Sequence, residues 1–248
     1  MNERYDASRV IAVILIGGSG YRFGGSTLKQ FVQVMGKDMF VYTADAFQQH
    51  ARIDEIVLVC PKGWREYVTN QCDKFRLFKV RHIVEGGCTR QESGYNAVKF
   101  LKPLYKDNPV VIEHDGDRVL IDECVISRCI ESCCQHGNAW ACMNSSDYIV
   151  EGTPDRIIGN LRTGVKRQTL RTHSPCAFRL DDLYAIYKHC EDNGIDDMCI
   201  PCDIALDMGI VVHPVASTTQ NGLKLVTQED FEIIKLVLEH RHKVDAKE

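Results

Sequence analysis

Between residues 15 and 31 the chain reads Leu15-Ile16-Gly17-Gly18-Ser19-Gly20-Tyr21-Arg22-Phe23-Gly24-Gly25-Ser26-Thr27-Leu28-Lys29-Gln30-Phe31. Glycines let backbone N–H groups face phosphate oxygens with no side chain between them. Arg22 and, seven residues later, Lys29 add fixed positive charge over the same oxygens. The combination points to a polyphosphate. Two common loops fit poorly. A dinucleotide fingerprint needs a third glycine where Phe23 stands, and a Walker loop needs lysine where Ser26 stands. A glycine-rich turn without a ligand leaves the two cations unexplained.

Further chemistry-bearing residues recur down the chain in short groups. Gly86-Gly87-Cys88-Thr89-Arg90-Gln91-Glu92-Ser93 passes from an apolar run into a helical pattern, and its glycines let backbone lie flat against a base. His114-Asp115-Gly116-Asp117-Arg118 ends another apolar run. A His-Asp pair can belong to a metal hydrolase, but no further ligands stand at suitable spacing. Asp147-Tyr148, Lys166-Arg167, Ser174-Pro175, Cys202-Asp203 and Asn221-Gly222-Leu223-Lys224-Leu225-Val226-Thr227-Gln228-Glu229-Asp230 follow.

Taken in order over residues 10–235, these groups resemble the motifs of the polyol-phosphate cytidylyltransferases. That family includes the ribitol-5-phosphate and methylerythritol-phosphate enzymes. The first loop resembles G-G-x-G-x-R-…-K-Q-F. The second resembles G-G-x-x-R-x-x-S, the third H-D-x-x-R-P, and the last N-x-K-[IV]-T-x-x-D. The resemblance implies that Gly17, Gly18, Ser19, Gly20, Gly86, Gly87, Arg90 and Ser93 bind the nucleotide. It implies that Arg22, Lys29 and Lys224 carry catalysis. Asp115, Arg118, Tyr148, Lys166, Arg167 and Ser174 would bind the acceptor, and Asp115 would also help place Mg²⁺. Asp230 is expected to cap the last helix.

The implied reaction moves CMP from CTP to a polyol phosphate. The acceptor is already an anion, so no protein nucleophile or strong base is needed, and catalysis should rest on positioning and charge. Ile16-Gly17-Gly18 and Pro61-Lys62-Gly63-Trp64 are closer in pattern to the ribitol enzymes, which implies D-ribitol 5-phosphate as acceptor and CDP-ribitol as product. Methylerythritol phosphate, or another sugar phosphate for a surface polysaccharide, is the alternative. Cys88, Gly116, Asp117, Val119 and Lys166 depart from the family pattern. They leave open a different acceptor, a hexose-phosphate nucleotidylyltransferase, or a CTP-binding protein without catalysis. The family's arm exchange implies a homodimer in which Lys166 or Arg167 completes the partner's site.

These residues need a frame. Apolar runs at 10–16, 55–60, 79–84, 108–113, 139–143 and 210–215 read as strands. Helical patterns fit 40–49, 63–75, 91–101, 123–136, 181–190, 203–208 and 228–241. In the last, Ile233, Ile234, Val237 and Leu238 are expected on one face, with a frayed tail from 243 to 248. The alternation predicts a Rossmann-like three-layer α/β/α fold with a mainly parallel sheet. One domain of 248 residues is expected, with a dimerisation β-arm at about 145–172. A net charge of −4 argues against a general nucleic-acid surface. No apolar run approaches membrane-spanning length, so a soluble cytoplasmic protein is expected. The 12 cysteines are then expected as reduced, mostly buried thiols, with Cys129 and Cys133 on one helical face beside Cys124 and Cys134. Cys199 and Cys202 form a lone C-x-x-C, for which no second ligand pair stands out.

Overall fold

The structure, a computed structural model, describes residues 9–18, 28–145, 150–153, 156–160, 169–196 and 200–245. Its centre is β1 (Val10–Leu15), buried on both faces. Ile11, Val13 and Leu15 point to one layer and Val10, Ala12 and Ile14 to the other, as the two-residue period of a strand requires. β2 (Gln33–Val34) and β3 (Lys37–Asp38) form a small hairpin before α1 (Met39–Gln49). Then come β4 (Glu55–Cys60), α2 (Arg65–Lys74), β5 (Val80–Glu85), α3 (Arg90–Leu101), β6 (Val110–Asp115) and α4 (Glu123–His136). β7 (Asn138–Asn144), β8 (Val150–Thr153), β9 (Arg156–Asn160) and β10 (Leu170–Arg179) follow. The chain continues through α5 (Leu180–Asn193), α6 (Pro201–Asp207), β11 (Pro214–Ala216), α7 (Thr219–Gly222) and α8 (Gln228–Asp245).

Seven strands form one sheet in the order β11-β7-β10-β6-β1-β4-β5. All neighbours are parallel except those of β10, which runs against both β6 and β7. Helices α1, α2 and α4 cover one face and α3, α5 and α6 the other. This is the expected three-layer α/β/α fold with a mainly parallel sheet. A third, smaller apolar cluster joins Ile234 and Leu238 of α8 to Val119, Leu120 and Leu225.

Three expectations are corrected. The reversed strand β10 was not foreseen; it begins at Leu170, inside the segment expected as the β-arm. β8 and β9 pair with each other as a separate antiparallel hairpin. Ile233 is exposed while Ile234 is fully buried, so α8 turns a narrower stripe to the core than the four-residue face expected. The helix also continues to Asp245 instead of fraying from 243. Cys129, Cys133, Cys134 and Cys202 are buried, whereas Cys88 and Cys124 are exposed; burial pushes the Cys133 thiol up to about 12. Cys199 lies outside the described residues. Among the described residues no helix is long and apolar enough to cross a membrane.

Candidate active site

β1 and β6 lie side by side with Leu15 opposite Asp115, and Gly116 N donates to Leu15 O at 2.8 Å. The Gly17-Gly18 loop and the 115–118 turn therefore leave the sheet together, at the carboxyl ends of parallel strands, where such sheets bind ligands. Gly116 permits the approach: a Cβ there would stand 2.4 Å from Ile16 Cγ2 and 3.0 Å from Leu15 O. Gln30 holds the first loop by donating Nε2 to Ile16 O at 2.7 Å and Gly18 O at 2.9 Å. Phe31, next along, stacks on Trp64 with ring centroids 4.3 Å apart. The Lys-Gln-Phe segment thus combines a cation, a loop brace and an anchor.

The second loop is shaped by its own helix. Thr89 caps α3 by accepting from Glu92 N at 3.0 Å, while Glu92 accepts from Cys88 N at 2.7 Å. A Cβ on Gly87 would fall 2.2 Å from the Glu92 side chain, so the capping arrangement requires glycine there. Ser93 is buried, accepts from Gly87 N at 3.0 Å and donates to Thr89 O at 2.8 Å. Its hydroxyl proton is engaged within the loop, and a base contact would fall to its remaining acceptor capacity.

Four cations converge on two carboxylates. Asp115 Oδ1 meets Arg90 Nε at 2.9 Å, and Oδ2 meets Lys224 Nζ at 2.8 Å and Arg118 Nε at 3.5 Å. Burial alone would raise the Asp115 pKa, but Arg90, Lys224 and Arg118 together hold it well below the ordinary carboxylate range. Asp117 Oδ2 meets Lys29 Nζ at 2.5 Å, and Oδ1 faces Lys224 Nζ at 3.8 Å. Lys29 also donates to Leu225 O at 2.9 Å. Arg118 donates to Gly222 O, so its guanidinium ties the turn to the loop before Lys224. Asp115 N donates to Ser174 Oγ at 3.0 Å, which makes Ser174 a brace for the aspartate backbone.

Sequence reasoning missed the group behind this cluster. Arg90 Nη1 pairs with Glu113 Oε1 at 2.8 Å, and Tyr187 OH donates to Glu113 Oε2 at 2.7 Å. Burial pushes the Glu113 pKa up, opposed by Arg90 and the Tyr187 hydrogen bond. The available signal was Gly94 inside a helical pattern. A Cβ there would stand 2.2 Å from Tyr187 OH, so glycine makes room for the tyrosine. At the other end, Asp230 Oδ2 accepts from Val226 N, Thr227 N and Thr227 Oγ1, and Asp230 N donates to Thr227 Oγ1. This reciprocal cap fixes α8 and the loop carrying Lys224.

His114 is not a metal ligand in this arrangement. It is fully buried, its Nε2 lies 3.0 Å from Arg118 O, and its ring lies 5.2 Å from that of Phe47. A carbonyl accepts, so Nε2 carries the proton. Burial lowers its pKa to about 4. Below the ordinary value of about 6.5, the unfolded chain binds a proton that the folded one refuses, so acid destabilises the fold until pH reaches about 4. The expected slope from this group is at most about 1.4 kcal/mol per pH unit. Urea unfolding of the ligand-free protein at pH 7 and pH 5 should show a larger acid loss than in His114→Gln. Equal losses in the two proteins would remove His114 as the cause.

Of the residues expected in the site, the structure brings together Gly17, Gly18, Lys29, Arg90, Asp115, Arg118, Ser174 and Lys224, with Gly86 and Gly87 after β5 and Ser93 in the first turn of α3. Ser19, Gly20, Arg22, Asp147, Tyr148, Lys166 and Arg167 lie outside the described residues. Among the described residues no three His, Cys, Asp or Glu side chains gather as a metal cage. Asp115, at the end of β6, offers hard oxygen donors. That donor set fits a divalent ion taking most of its oxygens from phosphates and water.

Residues 10–240 match the family model described as IspD, 2-C-methyl-D-erythritol 4-phosphate cytidylyltransferase. The chain belongs to this cytidylyltransferase family. A ribitol-5-phosphate cytidylyltransferase of Lacticaseibacillus paracasei is 31% identical over 235 residues, covering 94% of this chain and 99% of the relative. A 2-C-methyl-D-erythritol 4-phosphate cytidylyltransferase of Alkaliphilus metalliredigens is 30% identical over 239 residues, covering 95% of each. The crystal structure of 4-diphosphocytidyl-2C-methyl-D-erythritol synthase from Anaerococcus prevotii superposes with a TM-score of 0.77 at 21% identity, covering 96% of this chain and all of that one. The protein is therefore an enzyme, a cytidylyltransferase acting on a polyol phosphate, and the cation cluster sits on the family's nucleotidyltransferase fold.

Proposed function

We propose that this cytidylyltransferase uses CTP and D-ribitol 5-phosphate to make CDP-ribitol and pyrophosphate. The observation that carries the chemistry is the convergence of Lys29, Lys224, Arg90 and Arg118 on Asp115 and Asp117 beside a glycine loop. The choice of acceptor is supported by the Ile16-Gly17-Gly18 and Gly63-Trp64 patterns and by the curated relative with which 31% identity is shared.

In this reading an oxygen of the acceptor phosphate attacks the α-phosphorus of CTP. The new P–O bond forms as the α–β bridge breaks, and pyrophosphate carries the electron pair away. Gly17, Gly18, Ser19 and Gly20 cradle the triphosphate, and Arg22, Lys29 and Lys224 balance the charge that builds on the leaving group. Gly86 and Gly87 leave the base and ribose a flat surface, with Ser93 and Arg90 holding that loop and Asp115 in register. Asp115, Arg118 and Ser174, with Tyr148, Lys166 and Arg167, serve the acceptor side. Asp115 would hold Mg²⁺, which when bound neutralises phosphate charge. The molecule is a single domain whose arm at about 145–172 crosses to a second copy, so the active form is a homodimer.

Pyrophosphate release with CTP and Mg²⁺ should be fastest with ribitol 5-phosphate in a panel containing methylerythritol phosphate, erythritol 4-phosphate, glycerol 3-phosphate and sugar phosphates. Faster release with another acceptor would replace ribitol 5-phosphate. Light scattering on the same sample should give a dimer, and a fully active monomer would remove the arm exchange.

A further inference from the structure

Asp117 adds a carboxylate to a site whose substrates are all anions, and the mechanism above gives it no step. Its surroundings show what it does. Lys29 and Asp117 side chains are each only 11% exposed, and their charged atoms lie 2.5 Å apart. The same lysine donates to Leu225 O at 2.9 Å, while Leu225 N donates to Asp117 O at 3.0 Å. Asp117 thus ties the turn after β6 to the loop carrying Lys224 through its backbone, and pins the Lys29 ammonium through its side chain. Its other oxygen, Oδ1, is buried with no hydrogen-bond donor and faces Lys224 Nζ at 3.8 Å. One carboxylate therefore pairs closely with Lys29 and lies within ion-pair range of Lys224, the two described lysines assigned to the triphosphate. The Lys29 stem passes beside the phosphate loop: a Cβ on Gly18 would lie 3.8 Å from Lys29 Cε.

Two consequences follow from charge and geometry. A fixed anion beside two cations lowers the positive potential shown to CTP, which weakens its ground-state binding. The same anion holds the ammonium of Lys29 at one place, and a preorganised charge stabilises a transition state better than one that must reorganise. We propose that Asp117 is a positioning residue that fixes Lys29 and Lys224 for turnover while restraining the affinity of the site for CTP. This rests on the reading that both lysines face the triphosphate.

Asp117→Asn keeps the shape and removes the charge. Calorimetric titration with CTP and Mg²⁺, without acceptor, should give a Kd about three- to tenfold tighter than wild type, the size of one screened charge at this range. Its kcat should fall about tenfold or more, with KM for CTP lowered. The opposed movement of affinity and turnover is what a purely structural role would not produce. Weaker CTP binding together with lower turnover, or no change in either, would overturn the proposal. If Asp117→Asn fails to fold, Asp117→Glu serves instead. It keeps the charge on a longer arm, so wild-type CTP affinity with reduced kcat is expected, and unchanged kcat would overturn the proposal. The binding measurement needs no acceptor. A wild-type protein that binds CTP but ignores ribitol 5-phosphate would therefore sink the acceptor assignment and leave the comparison of affinities to decide the role of Asp117.

Discussion

Lys29→Ala should lower turnover by about 10²-fold or more, the usual loss when one donor aimed at developing charge is removed. The lysine leaves a three-residue helical turn (Lys29–Phe31) whose other members are tied down, Gln30 to the first loop and Phe31 against Trp64. Its ammonium has two fixed acceptors, Asp117 Oδ2 and Leu225 O, and three N–H bonds. One donor therefore remains for a phosphate oxygen, on a charge whose position is already set. Arginine should restore little. A planar guanidinium cannot place one nitrogen between those two acceptors as a compact ammonium does. Steady-state pyrophosphate release checks the effect, and a melting curve separates it from unfolding, because the substitution also removes a cation from a buried carboxylate. Near-native turnover in a folded Lys29→Ala protein would take Lys29 out of the mechanism.

How much of this was legible in the sequence depends on the range of the interactions. α4 was foreseen at its observed bounds because its apolar spacing is helical, and the structure ends it at Gly137 with φ 87°, a left-handed stop that favours glycine. β1 and β4 were legible as continuous apolar runs, since strands buried on both faces carry no polar alternation. β10 was not. Thr172, His173, Ser174 and Pro175 interrupt its pattern, and its register shifts between Thr172 and Cys176; neighbours β6 and β7 make it a strand. Lys29, Asp115, Arg118 and Lys224 could be marked as charged groups in short motifs, but not paired. Lys29 stands in a helical turn and Asp117 in the turn after β6, and the tertiary fold brings them together, with Leu225 bonded to both. Glu113 reads from sequence as an ordinary acid in a strand and Tyr187 as the apolar face of a helix. Their meeting beneath Arg90 belongs to the tertiary fold.

That meeting sets the other large expectation. Arg90→Met should destabilise the protein by about 3–5 kcal/mol, the usual cost of removing one partner from a buried ion pair. Arg90 serves two carboxylates. Asp115 would keep Lys224 and Arg118, but Glu113, fully enclosed, would keep among the described residues only the Tyr187 hydrogen bond. Burial already pushes the Glu113 pKa up, and without its cation the group would take a proton or unfold its surroundings. Adding Glu113→Gln to Arg90→Met should therefore recover much of the lost stability, because a neutral amide needs no counter-charge. Activity should not return with it. Arg90 Nε holds Asp115 Oδ1 at 2.9 Å, and an aspartate released on that side no longer offers one fixed orientation to Lys224 or to the acceptor. Denaturant unfolding of the single and double variants, read beside pyrophosphate release, separates the two roles. A single variant as stable as wild type would show that Glu113 needs no cation, and full activity in the double variant would show that Arg90 does not position Asp115.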